Sequence, residues 1–293
     1  MLRRTFSAVV LFYCLCCIVG GILLAEMTLH PQRRALDADP SFSRPSVALH
    51  THDGVVLRAW YVRPDGFQNN DAVLLLHGLS DNRLGMSGYA EFLLSAGYAV
   101  LMPDARAHGE SGGTVATHGW LEREDIHQWL NWLTEHKHPH CIFGLGESMG
   151  AAQLLQALPG SRFCAVAAES SFSSFREIAY DRVGQFFNTG PWLGRTLFRP
   201  LIETAFWYTH WRYDLPMSQI SPENAVRATN IAILLIHGEN DRNIPVRHSQ
   251  RLEAANPRIQ LWEVPGTDHC GGVATHPNEF KARLLAWFAS HDR

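Results

Sequence analysis

The sequence has no basic block, and only 18% of its residues are charged. With 25 Lys and Arg against 28 Asp and Glu, the formal net charge is −3. The electrostatic footprint of a nucleic-acid binder is missing, so nucleic acid is not expected as a partner. Cysteine is scarce and badly placed for a metal. Of the 6 in the chain, Cys14, Cys16 and Cys17 fall inside one apolar run, while Cys141, Cys164 and Cys270 form an odd set at no zinc-like spacing. A single disulfide among the latter three is compatible with a domain outside the cytoplasm. The histidines of His136-Lys-His-Pro-His140 alternate in a polar loop and read as solvated side chains rather than ligands. No metal or other cofactor is expected.

What the chain does have is a long apolar run near its start. Thr5 to Ala25 carries no charge, follows Arg3 and Arg4, and is long enough to cross a bilayer, which takes about 20 residues. A cleaved signal peptide has a shorter apolar core, about 7–15 residues, and a small-x-small site, whereas here bulky Leu23 lies two positions before Ala25. Residues 1–34 therefore read as an uncleaved membrane anchor in preference to a signal peptide. Arg33 and Arg34 nearly balance Arg3 and Arg4 across the run, so orientation rests on the terminal position and the free amine. These favour the N terminus inside and the folded domain outside, a single-pass extracytoplasmic arrangement. Residues 35–45, polar and proline-containing, read as a linker. With 46% hydrophobic residues, the rest, 46–293, can bury one large core as a single domain.

Within that domain the apolar pattern alternates. Val47 to His50 and Val55 to Val62 flank His52-Asp-Gly54 as a β-hairpin. The run after Asp71, Ala-Val-Leu-Leu-Leu, is continuous, as a strand buried on both faces should be. Strands at Tyr98–Pro103, Cys141–Leu145, Cys164–Ala168, Ile231–Ile236 and Ile259–Val264 are separated by helical stretches near Gly88–Ala96, Leu121–Thr134, Ala151–Leu158 and Arg247–Ala255. A last helix follows near Pro277–His291. This is an α/β fold: a mostly parallel sheet with helices on both faces, whose sites gather at the carboxyl ends of the strands. Residues 171–222 break the alternation with an aromatic-rich stretch and no strand. They read as a helical cap insertion, its aromatics either lining an apolar substrate pocket or packing the cap and meeting a bilayer.

Gly146-Glu-Ser148-Met-Gly150 joins the strand Cys141–Leu145 to the following helix. A serine raised on so sharp a turn takes a strained backbone, and side chains two residues to either side would collide with the adjoining strand and helix. A nucleophilic serine needs a base, and the base an orienting acid. Asp241 follows the strand Ile231–Ile236 and His269 follows the strand Ile259–Val264, so the order is Ser148, Asp241, His269. With His77-Gly78 and Asp104-Ala-Arg-Ala-His-Gly-Glu-Ser111, these motifs make the chain from about residue 46 onwards resemble the α/β-hydrolase superfamily. It looks like monoacylglycerol-lipase-like and Bem46-like esterases and serine aminopeptidase-like hydrolases.

The resemblance implies an α/β-hydrolase fold with Ser148 as nucleophile, His269 as general base and then acid, and Asp241 as its orienting partner. An oxyanion hole would come from the backbone N–H groups of Leu79 and Met149. It implies a metal-independent hydrolase of carboxylic esters, and the anchor and aromatic cap suggest an apolar or lipid-like substrate. Peptidase, thioesterase and acyltransferase activities share the triad, and a membrane-tethered binding protein without turnover is the non-enzymatic alternative. Glu169, at the end of its strand, is a second candidate acid, and Asp268 directly precedes His269. His77 and His108 read as loop braces. Glu147 is assigned no catalytic role. The oligomeric state is not legible.

Overall fold

The computed structural model describes residues 2–36, 46–64 and 70–292. Most of the expected linker, residues 37–45, lies outside the described residues. The chain divides into two compact units, Met1–His30 with Ser174–Ile220, and Pro31–Ser173 with Ser221–Arg293.

The larger unit holds an eight-stranded sheet in the order β1-β2-β4-β3-β5-β6-β7-β8. β1 (Ser46–His50) and β2 (Val56–Val62) pair antiparallel, and the turn between them uses Gly54 at φ 82°. β2 also runs antiparallel to β4 (Ala99–Pro103), and every later pairing is parallel. These involve β3 (Ala72–Leu76), β5 (Ile142–Glu147), β6 (Ala165–Glu169), β7 (Ala232–Gly238) and β8 (Ile259–Val264). The mostly parallel sheet read from the sequence is thus present, and its strand boundaries lie within two residues of that reading.

Both faces of the sheet are covered because the parallel strands are apolar on both. In β3, Ala72, Leu74 and Leu76 enter one core and Val73 and Leu75 the other, following the period of 2. The first core receives α3 (Glu122–His136), α4 (Met149–Gln156), α8 (Pro222–Arg227) and α9 (Arg247–Ala255). The second receives α2 (Ser87–Ser95) and α11 (Pro277–Ala289), preceded by the short α10 (Gly272–Thr275). Helical spacing selects the buried stripe. Ile126, Trp129, Leu130 and Leu133 face in from α3, and Phe280, Leu284, Trp287 and Phe288 from α11.

The smaller unit is helical throughout its described residues apart from short turns: α1 (Leu2–Leu29), α5 (Phe175–Phe186), α6 (Trp192–Arg195) and α7 (Arg199–Tyr213). Ser174 caps α5 by accepting from the Glu177 N–H, and α7 ends at Asp214 in the left-handed region. α1 is the one helix among the described residues that is long and apolar enough to cross a membrane, and most of its surface is exposed.

Cys141 and Cys164 form a disulfide, while Cys270 is free. The pair joins the amino-terminal ends of β5 and β6, across a sequence separation of 23, and so ties down the strand that leads into Ser148. Closing a loop of this size restricts the unfolded chain, and replacing both cysteines by alanine should cost about 3 kcal/mol of stability. Urea unfolding of the oxidised wild type beside the double variant measures it, and equal midpoints would refute the role.

Candidate active site

Ser148 stands between β5 and α4 with φ 51° and ψ −113°, a conformation that L residues rarely adopt. Its neighbours show why glycine flanks it at two residues' distance. A Cβ on Gly146 would lie 2.6 Å from the Gly150 backbone, and one on Gly150 would lie 2.3 Å from the carbonyl oxygen of Leu76 in β3. The turn therefore exists only if helix and strand backbones touch without side chains between them. The Ser148 N–H donates to the Glu169 carbonyl oxygen at 2.8 Å, which anchors the turn to β6.

Asp241 lies in the loop after β7, its carboxylate fixed from both sides. Oδ1 accepts from the N–H groups of Asn243 (2.9 Å) and Ile244 (2.8 Å). Oδ2 lies 2.8 Å from His269 Nδ1, and His269 Nε2 lies 2.9 Å from Ser148 Oγ. The three residues picked from separate strand ends are thus within hydrogen-bond reach of one another in the expected order. Burial would raise the Asp241 carboxyl, but hydrogen bonds from His237 and then His269 outweigh it and hold the group well below the usual carboxylate range. It is therefore ionised at neutral pH, and an ionised Oδ2 facing Nδ1 selects the tautomer of His269 that leaves Nε2 free to accept from Ser148.

His237 was not singled out from the sequence as part of the site. Fully buried, its Nε2 lies 2.7 Å from the Ile244 carbonyl oxygen and 3.3 Å from Asp241 Oδ2. A nitrogen aimed at a carbonyl oxygen carries the proton, so His237 donates to Ile244 and the same N–H edge faces the Asp241 carboxylate from behind. Its Nδ1 is 2.6 Å from Ser249 Oγ on α9. The sequence signal was its place, one residue before Gly238 and four before the acid.

The other carboxylates considered go elsewhere. Glu169 accepts from the Tyr89 hydroxyl (2.8 Å) and the Gly272 N–H (2.9 Å), and Asp268 accepts from the backbone N–H groups of Arg242 and His269. Glu147, paired in register with Glu169, is pushed up to about 7 by burial first and then by the charges of Glu169 and Asp81. Asp71, His140, Cys141 and Asp292 cluster at the far end of β5 with donor atoms within 4.8 Å of one another, but the Cys141 sulfur is committed to the disulfide.

The loop after β3 passes close to the serine. A Cβ on Gly78 would lie 3.6 Å from Ser148 Cβ, and Leu79 follows at once. Met149 opens α4, whose first-turn N–H groups have no intrahelical acceptor. The loop is held from beneath by His77. Its Nδ1 donates to the Gly78 carbonyl oxygen at 2.8 Å, and its Nε2 accepts from the Ala105 N–H at 3.0 Å. Around Ala105, the buried Asp104 binds Arg83 (2.9 Å) and the Glu110 N–H (2.8 Å), and Arg106 is held by Asp125 at 2.7 and 2.5 Å. His108 Nδ1 lies 2.9 Å from the Arg106 carbonyl oxygen.

A family model described as "Alpha/beta hydrolase family" matches residues 73–283. The chain belongs to the alpha/beta hydrolase family. Among curated proteins it is similar to the uncharacterized protein YqkD of Bacillus subtilis, 27% identical over 205 residues, a match covering 68% of this chain and 64% of that protein. The uncharacterized protein YfhR of Escherichia coli is 27% identical over 273 residues, covering 89% of this chain and 86% of its own length. Among solved structures, the Pyrococcus furiosus esterase Pf2001 superposes with a TM-score of 0.72 at 25% identity, covering 91% of this chain and 99% of that one.

Burial, and then the neighbouring His108, lower the His77 imidazole from 6.5 to about 3. The unfolded chain takes up this proton below 6.5 and the folded one only near 3. Stability due to His77 is therefore intact above 6.5 and lost as the pH falls through that window, at up to about 1.4 kcal/mol per pH unit. Urea unfolding at pH 7, 5 and 4 should show a shallower acid-side decline in His77→Asn than in the wild type, and parallel declines would refute the assignment.

Proposed function

We propose that the protein is a membrane-tethered serine hydrolase that cleaves carboxylic esters of apolar acyl chains. The observation that carries the reading is the chain of two hydrogen bonds from Asp241 through His269 to Ser148, at 2.8 and 2.9 Å. In the proposed reaction His269 Nε2 takes the proton of Ser148 Oγ as that oxygen attacks the ester carbonyl. The oxyanion is held by the N–H groups of Leu79 and Met149, each such donor being worth about 2.7–4 kcal/mol. As the tetrahedral intermediate collapses, the C–O bond to the alcohol breaks and His269 returns the proton to the leaving oxygen. Water, deprotonated by the same nitrogen, then attacks the acyl-enzyme, and the acid leaves with Ser148 regenerated. Asp241 stays ionised throughout and balances the imidazolium.

The likeness to a P. furiosus esterase supports ester hydrolysis. The apolar α1 supports anchorage, with Thr5–Ala25 as the span. The Cys141–Cys164 disulfide supports an oxidising compartment and hence an extracytoplasmic hydrolase unit. The aromatic-rich composition of 171–222 supports an apolar substrate.

Labelling of the full chain in detergent with a fluorophosphonate probe tests the chemistry without a known substrate. Wild type should label, Ser148→Ala should not, and Asp241→Asn should label slower by roughly 10³–10⁴-fold. A folded wild type that fails to label would overturn the reading in favour of a binding protein. On p-nitrophenyl esters, kcat/KM should rise with acyl length, by up to about 0.8 kcal/mol per buried methylene. A preference for acetate over octanoate would sink the apolar specificity.

A further inference from the structure

The smaller unit contains a helix pairing that the proposed function does not use. α7 lies along α1, and the contacts advance together on both helices. The Tyr13 hydroxyl donates to the Leu197 carbonyl oxygen just before α7. A Cβ on Gly20 would meet Leu201 Cδ1 at 2.9 Å, and one on Gly21 would meet the Leu201 carbonyl oxygen at 2.6 Å and Thr204 Cβ at 2.8 Å. Near the end of α1, Glu26 accepts from the hydroxyls of Tyr208 (2.6 Å) and Tyr213 (2.8 Å). The two helices are therefore parallel, in close backbone contact at a Gly-Gly step, as small-residue seams between membrane helices are.

This pairing fixes depth. If Thr5–Ala25 crosses the bilayer, the stretch from Tyr13 to Ala25 accounts for about 18 Å of it at about 1.5 Å per residue, more than half of a hydrocarbon core about 30 Å thick. Leu197 stands level with the deep end of that stretch, and Phe187 stacks on Phe198 beside it at 5.0 Å between centroids. Trp207 and Trp211, stacked on each other at 5.7 Å, fall near the level of Glu26, where the apolar run stops.

The unit's own surface matches these depths. At 100° per residue, Trp207 and Trp211 lie beside Thr204 and Tyr208, so they border the seam and continue the exposed apolar surface of α1. They are 61% and 67% exposed, Trp192 at the start of α6 is 64% exposed, and Phe186 is 84% exposed. Their large rings gain nothing in water, whereas tryptophan is favoured at a membrane interface and phenylalanine deeper. Arg176 and Arg199 pair with Glu203 and Arg195 pairs with Glu177, so these charges are balanced within the unit.

From this we infer that the α5–α7 segment is itself immersed in the leaflet at the C-terminal end of α1, with phospholipid acyl chains as the partner of its aromatic face. The inference rests on the reading of α1 as a span, and it turns a tether into a broad, half-depth membrane footing.

α1 contains no tryptophan, so quenching of tryptophan by lipid reports on the rest of the chain. The full chain is reconstituted in phosphatidylcholine vesicles, with and without phosphatidylcholine brominated near the top of its acyl chains. Wild-type emission should be quenched by the bromolipid and shielded from aqueous iodide. In Trp192→Phe/Trp207→Phe/Trp211→Phe, with circular dichroism unchanged, at least half of the bromolipid quenching should disappear. Wild type that resists alkaline carbonate extraction but shows iodide quenching and no bromolipid quenching would overturn the immersion while leaving the anchor intact. Bromolipid quenching undiminished in the triple variant would overturn it as well. Release by carbonate would overturn the anchor and the immersion together.

Discussion

The structure depends on one steric constraint, the approach of α4 to β3 at Gly150. An L side chain there would need its Cβ 2.3 Å from the carbonyl oxygen of Leu76, so the helix and the strand can meet only through a bare backbone. That contact aims the first turn of α4 at the loop carrying Gly78 and Leu79, and it holds Ser148 in a conformation the residue would not choose alone. The cost of such a conformation is of order 1–3 kcal/mol, and it is carried by the Ser148 N–H bond to Glu169 and by the two apolar cores beneath. Whatever reaction the site performs, the positions of Ser148 and of the backbone amides beside it follow from this contact.

Much of this was legible in the sequence, because the signals were local. A continuous apolar run such as Ala72–Leu76 can only be a strand covered on both faces, and two glycines flanking a serine between strand and helix carry their steric reason with them. The strand-end positions of Asp241 and His269 followed from the same alternation of strands and helices. What was not legible depends on which side chain turns towards which. Glu169 ends β6 and Asp241 lies in the loop just after β7, so both are carboxylates at the carboxyl ends of parallel strands. The structure separates them: the Tyr89 hydroxyl and Gly272 N–H occupy Glu169, while His269 Nδ1 faces Asp241. His237 sits in an apolar strand and could have been a buried residue of no consequence until Ile244 folds back to fix its proton. The seam between α1 and α7 joins segments about 180 residues apart, beyond the reach of periodicity.

The histidines divide into two kinds by the same physics. His77 is buried against a backbone N–H that needs an acceptor, so its neutral form is a structural part of the loop, and protonation is pushed to acid pH. His269 is partly exposed, its Nδ1 facing the Asp241 carboxylate and its Nε2 the Ser148 hydroxyl, so it bridges two side chains where His77 bridges two backbone groups. The first kind shapes the loop that carries Gly78 and Leu79, and the second joins Asp241 to Ser148.

The pairing of Cys141 with Cys164 bears on how such a chain is made. Of the cysteines beyond α1 these two come first and are consecutive, and Cys270 stays free. In a chain threaded through a translocation channel from its N-terminal end, both partners emerge while Cys270 is still behind the membrane. Oxidation can then be completed with no competing thiol in the exported part of the chain. On the extracytoplasmic placement proposed above, the order of these three cysteines lets the disulfide close before a competing thiol arrives.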